Sequence, residues 1–124
     1  MSTGSAVRPV RAVEVCLDVN DPVAASTFWC ELLGYAVDGD PTGSWVHLVA
    51  PAGLPTLNLQ TVPEGKAGKN RLHLDVFVDD PEAWIDRALS LGASVVRRHE
   101  HDDDWFWVLA DPEGNELCIC RERE

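Results

Sequence analysis

Two stretches of the chain alternate between apolar and polar residues, and each leads into an Asp-Pro pair. In residues 71–80, Leu72, Leu74, Val76 and Val78 alternate with His73, Asp75, Phe77 and Asp79. A period of two predicts a half-buried strand with its apolar side toward the core. Asp80-Pro81 then predicts a helix start, and Gly92 its end. Residues 11–19 show the same pattern, followed by Asp21-Pro22 and Gly34.

The similarity between the two halves extends beyond these stretches. Trp45, Ala50 and Leu57 find counterparts in Trp105, Ala110 and Leu117. The pattern predicts a tandem duplication of a strand-helix-strand-strand-strand unit. Module one covers about residues 11–62, a Gly- and Lys-rich linker about 63–70, and module two about 71–121. Because half of 124 residues buries little surface, we expect one domain, residues 1–124, built of both modules.

The remaining strands are shorter and are separated by turn-forming residues. In module one they are predicted at residues 35–37, 44–49 and 56–61, and in module two at 93–97, 105–110 and 116–121. The segment 98–104 contains two histidines and three aspartates, and its charge predicts a solvated loop. Phe28 and Trp29 are predicted to pack between helix and sheet.

Charge and cysteine content exclude several classes of partner. Twenty-one acidic against ten basic residues give a net charge of −11, which repels nucleic acid and anionic membranes. No apolar run is long enough for a membrane span. The four cysteines form no Cys-x-x-Cys pair, so we expect a cytoplasmic protein with free thiols.

Polar residues recur on the non-core face of the first and fourth predicted strand of each module. These pairs are Glu14 with Cys16, Asn58 with Gln60, His73 with Asp75, and Glu116 with Cys118. If the two sheets curl and pack side by side, the four rows converge in a polar cup backed by an apolar layer. Such a cup is typical of a ligand site.

Two segments resemble a known superfamily. Phe28-Trp29-Cys30-Glu31-Leu32-Leu33-Gly34 and Asp111-Pro112-Glu113-Gly114-Asn115-Glu116-Leu117-Cys118 are similar to the glyoxalase/bleomycin-resistance/extradiol-dioxygenase (vicinal oxygen chelate) superfamily, and the resemblance covers about residues 11–121. It implies an α+β fold of tandem βαβββ modules that form an eight-stranded open, cup-like barrel sheet with helices outside. It also implies a homodimer.

The same resemblance implies candidate metal ligands. Catalytic members of the superfamily hold one divalent metal through four strand positions, and these positions fall here on Glu14, His73 and Cys118, with Asn58 or Gln60 as a weaker amide ligand. Cys118 stands where the superfamily usually has Glu. The implied metal is Zn, Ni, Mn or Fe.

Two functions remain open. The preferred one is metal-free binding of a cationic or aromatic small molecule, as in drug-sequestering members, with Trp residues at the site. The alternative is a metal-dependent lyase, isomerase or dioxygenase acting on a substrate with vicinal oxygens, in which Glu116 moves the proton. Cys at position 118 favours binding. The candidate ligand-binding residues are Glu14, Asn58, Gln60, His73, Asp75, Trp105, Trp107 and Cys118.

Overall fold

A computed structural model describes residues 8–101 and 104–122 and shows the predicted repeat. Module one consists of β1 (Val15–Val19), α1 (Pro22–Leu33), β2 (Ala36–Asp38), β3 (Trp45–Val49) and β4 (Leu57–Thr61). Module two consists of β5 (Leu74–Val78), α2 (Pro81–Ser90), β6 (Ser94–His101), β7 (Asp104–Ala110) and β8 (Glu116–Arg121). The α+β class and the tandem βαβββ order are confirmed.

Each module forms its own four-stranded open sheet. The strand orders are β1-β4-β3-β2 and β5-β8-β7-β6, and in each sheet the first and fourth strands pair in parallel. Over residues 8–101 and 104–122, no strand pairing joins one sheet to the other. The fold is therefore two open sheets rather than a closed barrel.

Both helices begin as the sequence predicts. The Asp21 side chain accepts a hydrogen bond from the Ala24 amide, and Asp80 does the same for Ala83, so each Asp satisfies an amide at a helix N-terminus. Gly34 ends α1 at a φ of 75°, a left-handed conformation that glycine adopts at little cost. Neither helix is long and apolar enough to cross a membrane within the described chain.

One apolar core contains residues of both modules. Trp29 and Phe28 of α1 are almost fully buried there, together with Leu59 of β4 and Ile119 of β8. The prediction that Phe28 and Trp29 are packing residues is confirmed. The helices cover one face of each sheet, and we call the opposite face the cup face.

A turn of module two connects the modules. Asp111 is buried and accepts hydrogen bonds from the Glu113 amide, the Asn115 amide and Nε1 of Trp29. The Glu113 carboxylate accepts from the Asp21 amide at 2.9 Å, and Asn115 Nδ2 donates to the Asp18 carbonyl. The second of the two segments that carry the superfamily resemblance, residues 111–118, is therefore a junction between the modules.

Three sequence predictions about element bounds are wrong. The strand predicted at 11–19 begins at Val15, and Val13 is 83% exposed. The strand predicted at 71–80 begins at Leu74, and Leu72 is 82% exposed. In both cases the alternation of apolar and polar residues begins before the segment that pairs with the parallel neighbour strand. The residues ahead of that segment have no partner strand and are therefore not part of the sheet.

The predicted loop at 98–104 is the third error. β6 continues to His101 and β7 starts at Asp104. His99 pairs with Phe106 across the hairpin, and its ring stacks on Phe106 at a centroid distance of 4.6 Å. Asp102 and Asp103 lie outside the described residues. Cross-strand pairing here outweighs the charge that suggested a loop.

Candidate ligand-binding cup

A cavity of about 1090 Å³ opens on the cup face of the module-two sheet. Ligand pockets in proteins usually measure roughly 300–1,000 Å³, so a drug-sized molecule fits. The lining residues come from the linker end and module two, and they are Lys69, Asn70, Arg71, His73, Asp75, Phe77, Arg97, Asp104, Trp105, Phe106, Val108, Glu116, Cys118, Cys120, Arg121 and Glu122.

Strand register arranges much of this lining in rows that cross the sheet. Asp75 of β5 pairs with Cys118 of β8, Cys118 with Val108 of β7, and Val108 with Arg97 of β6. The next row joins Phe77, Cys120, Phe106 and His99 in the same way. These rows share one face because residues directly opposite each other on paired strands point the same way.

Arg97 reaches the cup face through a β-bulge. Val95 pairs with Leu109 but Arg97 pairs with Val108, so Val96 is an extra residue in β6. A bulge shifts the alternation by one residue and re-aims the side chains that follow. Arg98 then falls on the helix-backed face, where its guanidinium lies 4.4 Å from the Trp107 ring centroid.

The cup has a small apolar floor. Val108, Cys118 and Cys120 are buried and pack with the half-buried Phe106. Burial, with smaller contributions from Asp75 and Cys120, raises the pKa of the Cys118 thiol to about 12. The thiol is therefore protonated at neutral pH and behaves as a small apolar group with a weak donor.

His73, Asp75 and Cys118 form a group beside this floor. Nδ1 of His73 lies 3.0 Å from Oδ1 of Asp75 and 3.8 Å from Sγ of Cys118. Their potential ligand atoms all lie within 4.8 Å of one another. Ligands of one tetrahedral Zn²⁺ lie about 3.5 Å apart, and Zn²⁺ binds imidazole, carboxylate and thiolate. The three residues fit a divalent metal, provided that the metal displaces the Cys118 proton.

The module-one candidates lie at the other sheet, with Asn58 and Gln60 in β4 and Glu14 directly before β1. Oε1 of Glu14 accepts a 2.7 Å hydrogen bond from Nδ2 of Asn58, and Oδ1 of Asn58 lies 2.8 Å from Nδ1 of His47. Gln60 pairs with Trp45 on the same face. The cavity lining thus brings together His73, Asp75, Trp105, Glu116 and Cys118, whereas Glu14, Asn58 and Gln60 do not line it.

Trp105 and Trp107, the two tryptophans among the candidate ligand-binding residues, lie in different surroundings. Trp107 packs against the main core on the helix-backed face and donates a hydrogen bond to Glu100. Trp105 stacks on Trp107 at 6.2 Å and reaches the cavity from its edge. Phe106, which lies between them in sequence, forms part of the cup floor. Because side chains alternate along β7, a residue between two tryptophans of one face must point to the other face, and this alternation could have identified Phe106 as a site residue.

One polar atom of the cup lacks a partner. Oδ1 of Asn70 is buried and accepts no hydrogen bond from any described residue, although Nδ2 of the same amide donates to the Leu72 carbonyl. A buried acceptor without a donor costs about 1–3 kcal/mol. An N–H or O–H group of a ligand in the cavity would satisfy it.

The comparisons with known proteins agree with this architecture. The family model of the glyoxalase-like domain matches residues 14–120. The chain belongs to the glyoxalase-like domain family. No curated protein sequence gives a significant match.

Solved structures share the fold at low identity. A glyoxalase/bleomycin resistance protein/dioxygenase family enzyme from Burkholderia phytofirmans PsJN is 20% identical, with a TM-score of 0.67 over 89% of this chain and 97% of that one. A glyoxalase/bleomycin resistance protein from Albidiferax ferrireducens T118 is 23% identical, with a TM-score of 0.66 and the same coverages of 89% and 97%.

A third similar structure contains bound ligands. It is a mutant of the fosfomycin resistance protein FosX from Listeria monocytogenes in complex with Mn(II) and a dihydroxypropylphosphonic acid. It is 11% identical, with a TM-score of 0.74 over 93% of each chain. At these identities the three structures show a glyoxalase/bleomycin-resistance-like fold for this chain.

Proposed function

We propose that this glyoxalase-like domain binds a small organic molecule in the module-two cup, as a drug-sequestering or uncharacterised member of the family. The observation that supports the proposal best is the cavity of about 1090 Å³, whose apolar floor is surrounded by charged side chains. Pockets that combine apolar walls with a few polar groups are the usual form of small-molecule sites.

The floor favours an aromatic ligand. Phe106 and Phe77 both line the cavity, and Phe106 stacks on His99. A flat ring of a ligand gains apolar burial and aromatic contacts there. The expectation of a cationic ligand came from the net charge of the whole chain, whereas the lining contains as many Lys and Arg as Asp and Glu residues.

Replacement of Phe106 tests the site directly. We expect a thermal-shift screen of cationic and aromatic antibiotics to find compounds that stabilise the wild-type protein, because binding to the folded state raises its melting temperature. Phe106→Ala should weaken their binding about 10-fold through loss of apolar contact. Phe106→Leu, which keeps much of that contact, is the matched control. Compounds that stabilise Phe106→Ala as strongly as wild type would place the site elsewhere.

The alternative function is a metal-dependent lyase, isomerase or dioxygenase, and the His73-Asp75-Cys118 group favours it. These three residues would hold the ion, which would supply Lewis acidity toward vicinal oxygens of a substrate. His73 and Glu116 directly precede the paired residues Leu74 and Leu117, and both line the cavity. In this alternative, the Glu116 carboxylate would accept or return a proton of a bound molecule.

Metal content decides between these functions. If the alternative holds, protein purified without chelator or immobilised nickel carries near-stoichiometric Zn, Ni, Mn or Fe by elemental analysis. His73→Ala should then lower the metal affinity at least about 100-fold, because one of three protein ligands is lost. His47→Ala, on the other sheet, is the control. No retained metal after loading with Zn²⁺, Ni²⁺, Mn²⁺ or Fe²⁺ would exclude the alternative.

We also propose a homodimer in the cytoplasm. Trp45 is 54% exposed on the module-one cup face, next to the Glu14-Asn58-His47 cluster. A second copy could cover this face and bring its Glu14 toward the module-two cup. The four cysteines are free thiols, which supports a reducing compartment. Light scattering on the purified protein tests the dimer.

A further inference from the structure

The basic residues of this acidic chain concentrate around the cup. The lining contains four of the ten Lys and Arg residues, namely Lys69, Arg71, Arg97 and Arg121, but only four of the twenty-one Asp and Glu residues. A ligand that approaches the cavity therefore meets a much less negative surface than the net charge of −11 suggests.

The acidic and basic side chains of the lining also differ in their partners. Asp75 lies 3.0 Å from His73, and Asp104 lies 3.2 Å from His99. Over residues 8–101 and 104–122, no ion pair involves Lys69, Arg71 or Arg97. Two of the four carboxylates thus lie beside histidines, whereas three of the four cations and the other two carboxylates have no ion pair over the described residues.

Arg97 is the basic residue best placed to contact a bound molecule. The bulge at Val96 puts it in the same cross-strand row as Val108, Cys118 and Asp75. Its side chain lines the cavity together with Val108 and Cys118 of the floor. Charge-assisted hydrogen bonds strengthen beside apolar groups because local screening falls.

We infer that the cup selects a ligand with an oxyanion group, a carboxylate or a phosphonate, on an aromatic or apolar body, and that Arg97 is the residue that determines this specificity. The inference rests on the proposed function and names the ligand class of the same site. A planar guanidinium binds either oxyanion through two parallel hydrogen bonds. The apolar body contacts Phe106 and Val108. The ligand class is anionic, in contrast to the cationic class that the net charge suggests.

Arg98 provides a matched control for Arg97. The two residues are neighbours in β6 and carry the same charge, but Arg98 stacks on Trp107 on the opposite face. Arg97→Gln and Arg98→Gln therefore change the net charge equally, but Arg98→Gln removes it from the helix-backed face, together with the contact to Trp107. Both positions are exposed, so both variants should fold and should melt within about 5 °C of the wild-type protein.

Isothermal titration with four naphthalene probes tests the inference: naphthoate, naphthylphosphonate, neutral naphthamide and naphthylmethylammonium. We expect wild-type protein to bind at least one of the two anions about 10-fold more tightly than the amide or the amine. Whichever anion is favoured identifies the group. Arg97→Gln should remove this preference, Arg97→Lys should restore part of it, and Arg98→Gln should retain it.

The other outcomes separate the two proposals. Equal affinity for anion and amide, or a preference lost equally in Arg97→Gln and Arg98→Gln, would overturn the role of Arg97 while the cup stays a ligand site. Affinities for all four probes should fall together in Phe106→Ala. No binding of any probe to wild-type protein would overturn the inference and the proposed function together.

Discussion

Asp111→Ala is expected to lower the free energy of unfolding by about 3 kcal/mol, or roughly 10 °C in melting temperature for a chain of this size. The carboxylate accepts hydrogen bonds from the Glu113 amide, the Asn115 amide and the Trp29 indole, and Asn115 and Trp29 are themselves buried. Without the carboxylate these donors lose their acceptors inside the junction between the modules. Urea denaturation followed by tryptophan fluorescence measures the loss.

A double-mutant cycle isolates the bond between the modules. Asp111→Asn keeps one oxygen for the turn amides but can place an NH₂ group against Nε1 of Trp29. Trp29→Phe removes that indole donor, so Asp111→Asn should cost less in the Trp29→Phe background than in wild type. Equal costs in the two backgrounds would contradict an energetic role for the 3.1 Å contact between Trp29 and Asp111.

The ionisation of Asp111 also determines how the stability of the protein changes with pH. Burial raises the pKa of the carboxyl above 3.8, although the hydrogen bonds oppose the rise. The folded state then holds the proton more tightly than the unfolded state, so the contribution of Asp111 to stability falls as pH rises from 3.8 through the raised pKa. Asp111→Asn should lack this decline in a urea series from about pH 3 to 7.

Ile119→Ala is expected to lower the free energy of unfolding by about 3–4 kcal/mol, whereas Cys118→Ala should cost about 1 kcal/mol. The two residues are neighbours in β8 and both are buried, but Ile119 belongs to the main core and Cys118 to the cup floor. The cavity left by Ile119 lies in the packed interior and cannot collapse easily. Chemical denaturation of both variants provides the comparison.

Ligand binding should show the reverse order, with the larger effect in Cys118→Ala and the smaller in Ile119→Ala. Cys118→Ala changes the cup surface and should weaken the binding of cup ligands, while folded Ile119→Ala protein should bind them normally. Equal destabilisation by both substitutions would mean that Cys118 is a core residue and that the cup floor does not form a separate surface.

Much of the fold can be predicted from the sequence because local signals and the repeat agree. Asp-Pro caps and starts each helix, and Gly34 ends α1 because glycine adopts the left-handed conformation at little cost. The errors arise where pairing with a distant strand decides whether a residue belongs to the sheet. Val13 and Leu72 continue an alternation beyond the paired strands, and the β6–β7 hairpin pairs a stretch whose charge indicates a loop.

The candidate site is predicted less completely, for two physical reasons. Alternation correctly groups His73 with Asp75 and Glu116 with Cys118 along the cavity, but it cannot state which sheets meet. Asn58 lies in the other sheet, and Glu14 directly precedes the first strand of that sheet. The bulge at Val96 resets the alternation of β6. The cup-facing position of Arg97 therefore follows only from the three-dimensional register.

A solution NMR titration with naphthoate and naphthylphosphonate tests most directly whether the module-two cup is the ligand site. We expect the largest amide shift changes in the cup rows of β5, β6, β7 and β8, centred on Asp75, Arg97, Phe106 and Cys118. A smaller cavity of about 280 Å³ between Asn20, Lys66 and Glu113 provides the internal comparison. Shift changes confined to that cavity or to the helix-backed face would contradict a ligand site in the module-two cup, as would the absence of any saturable change.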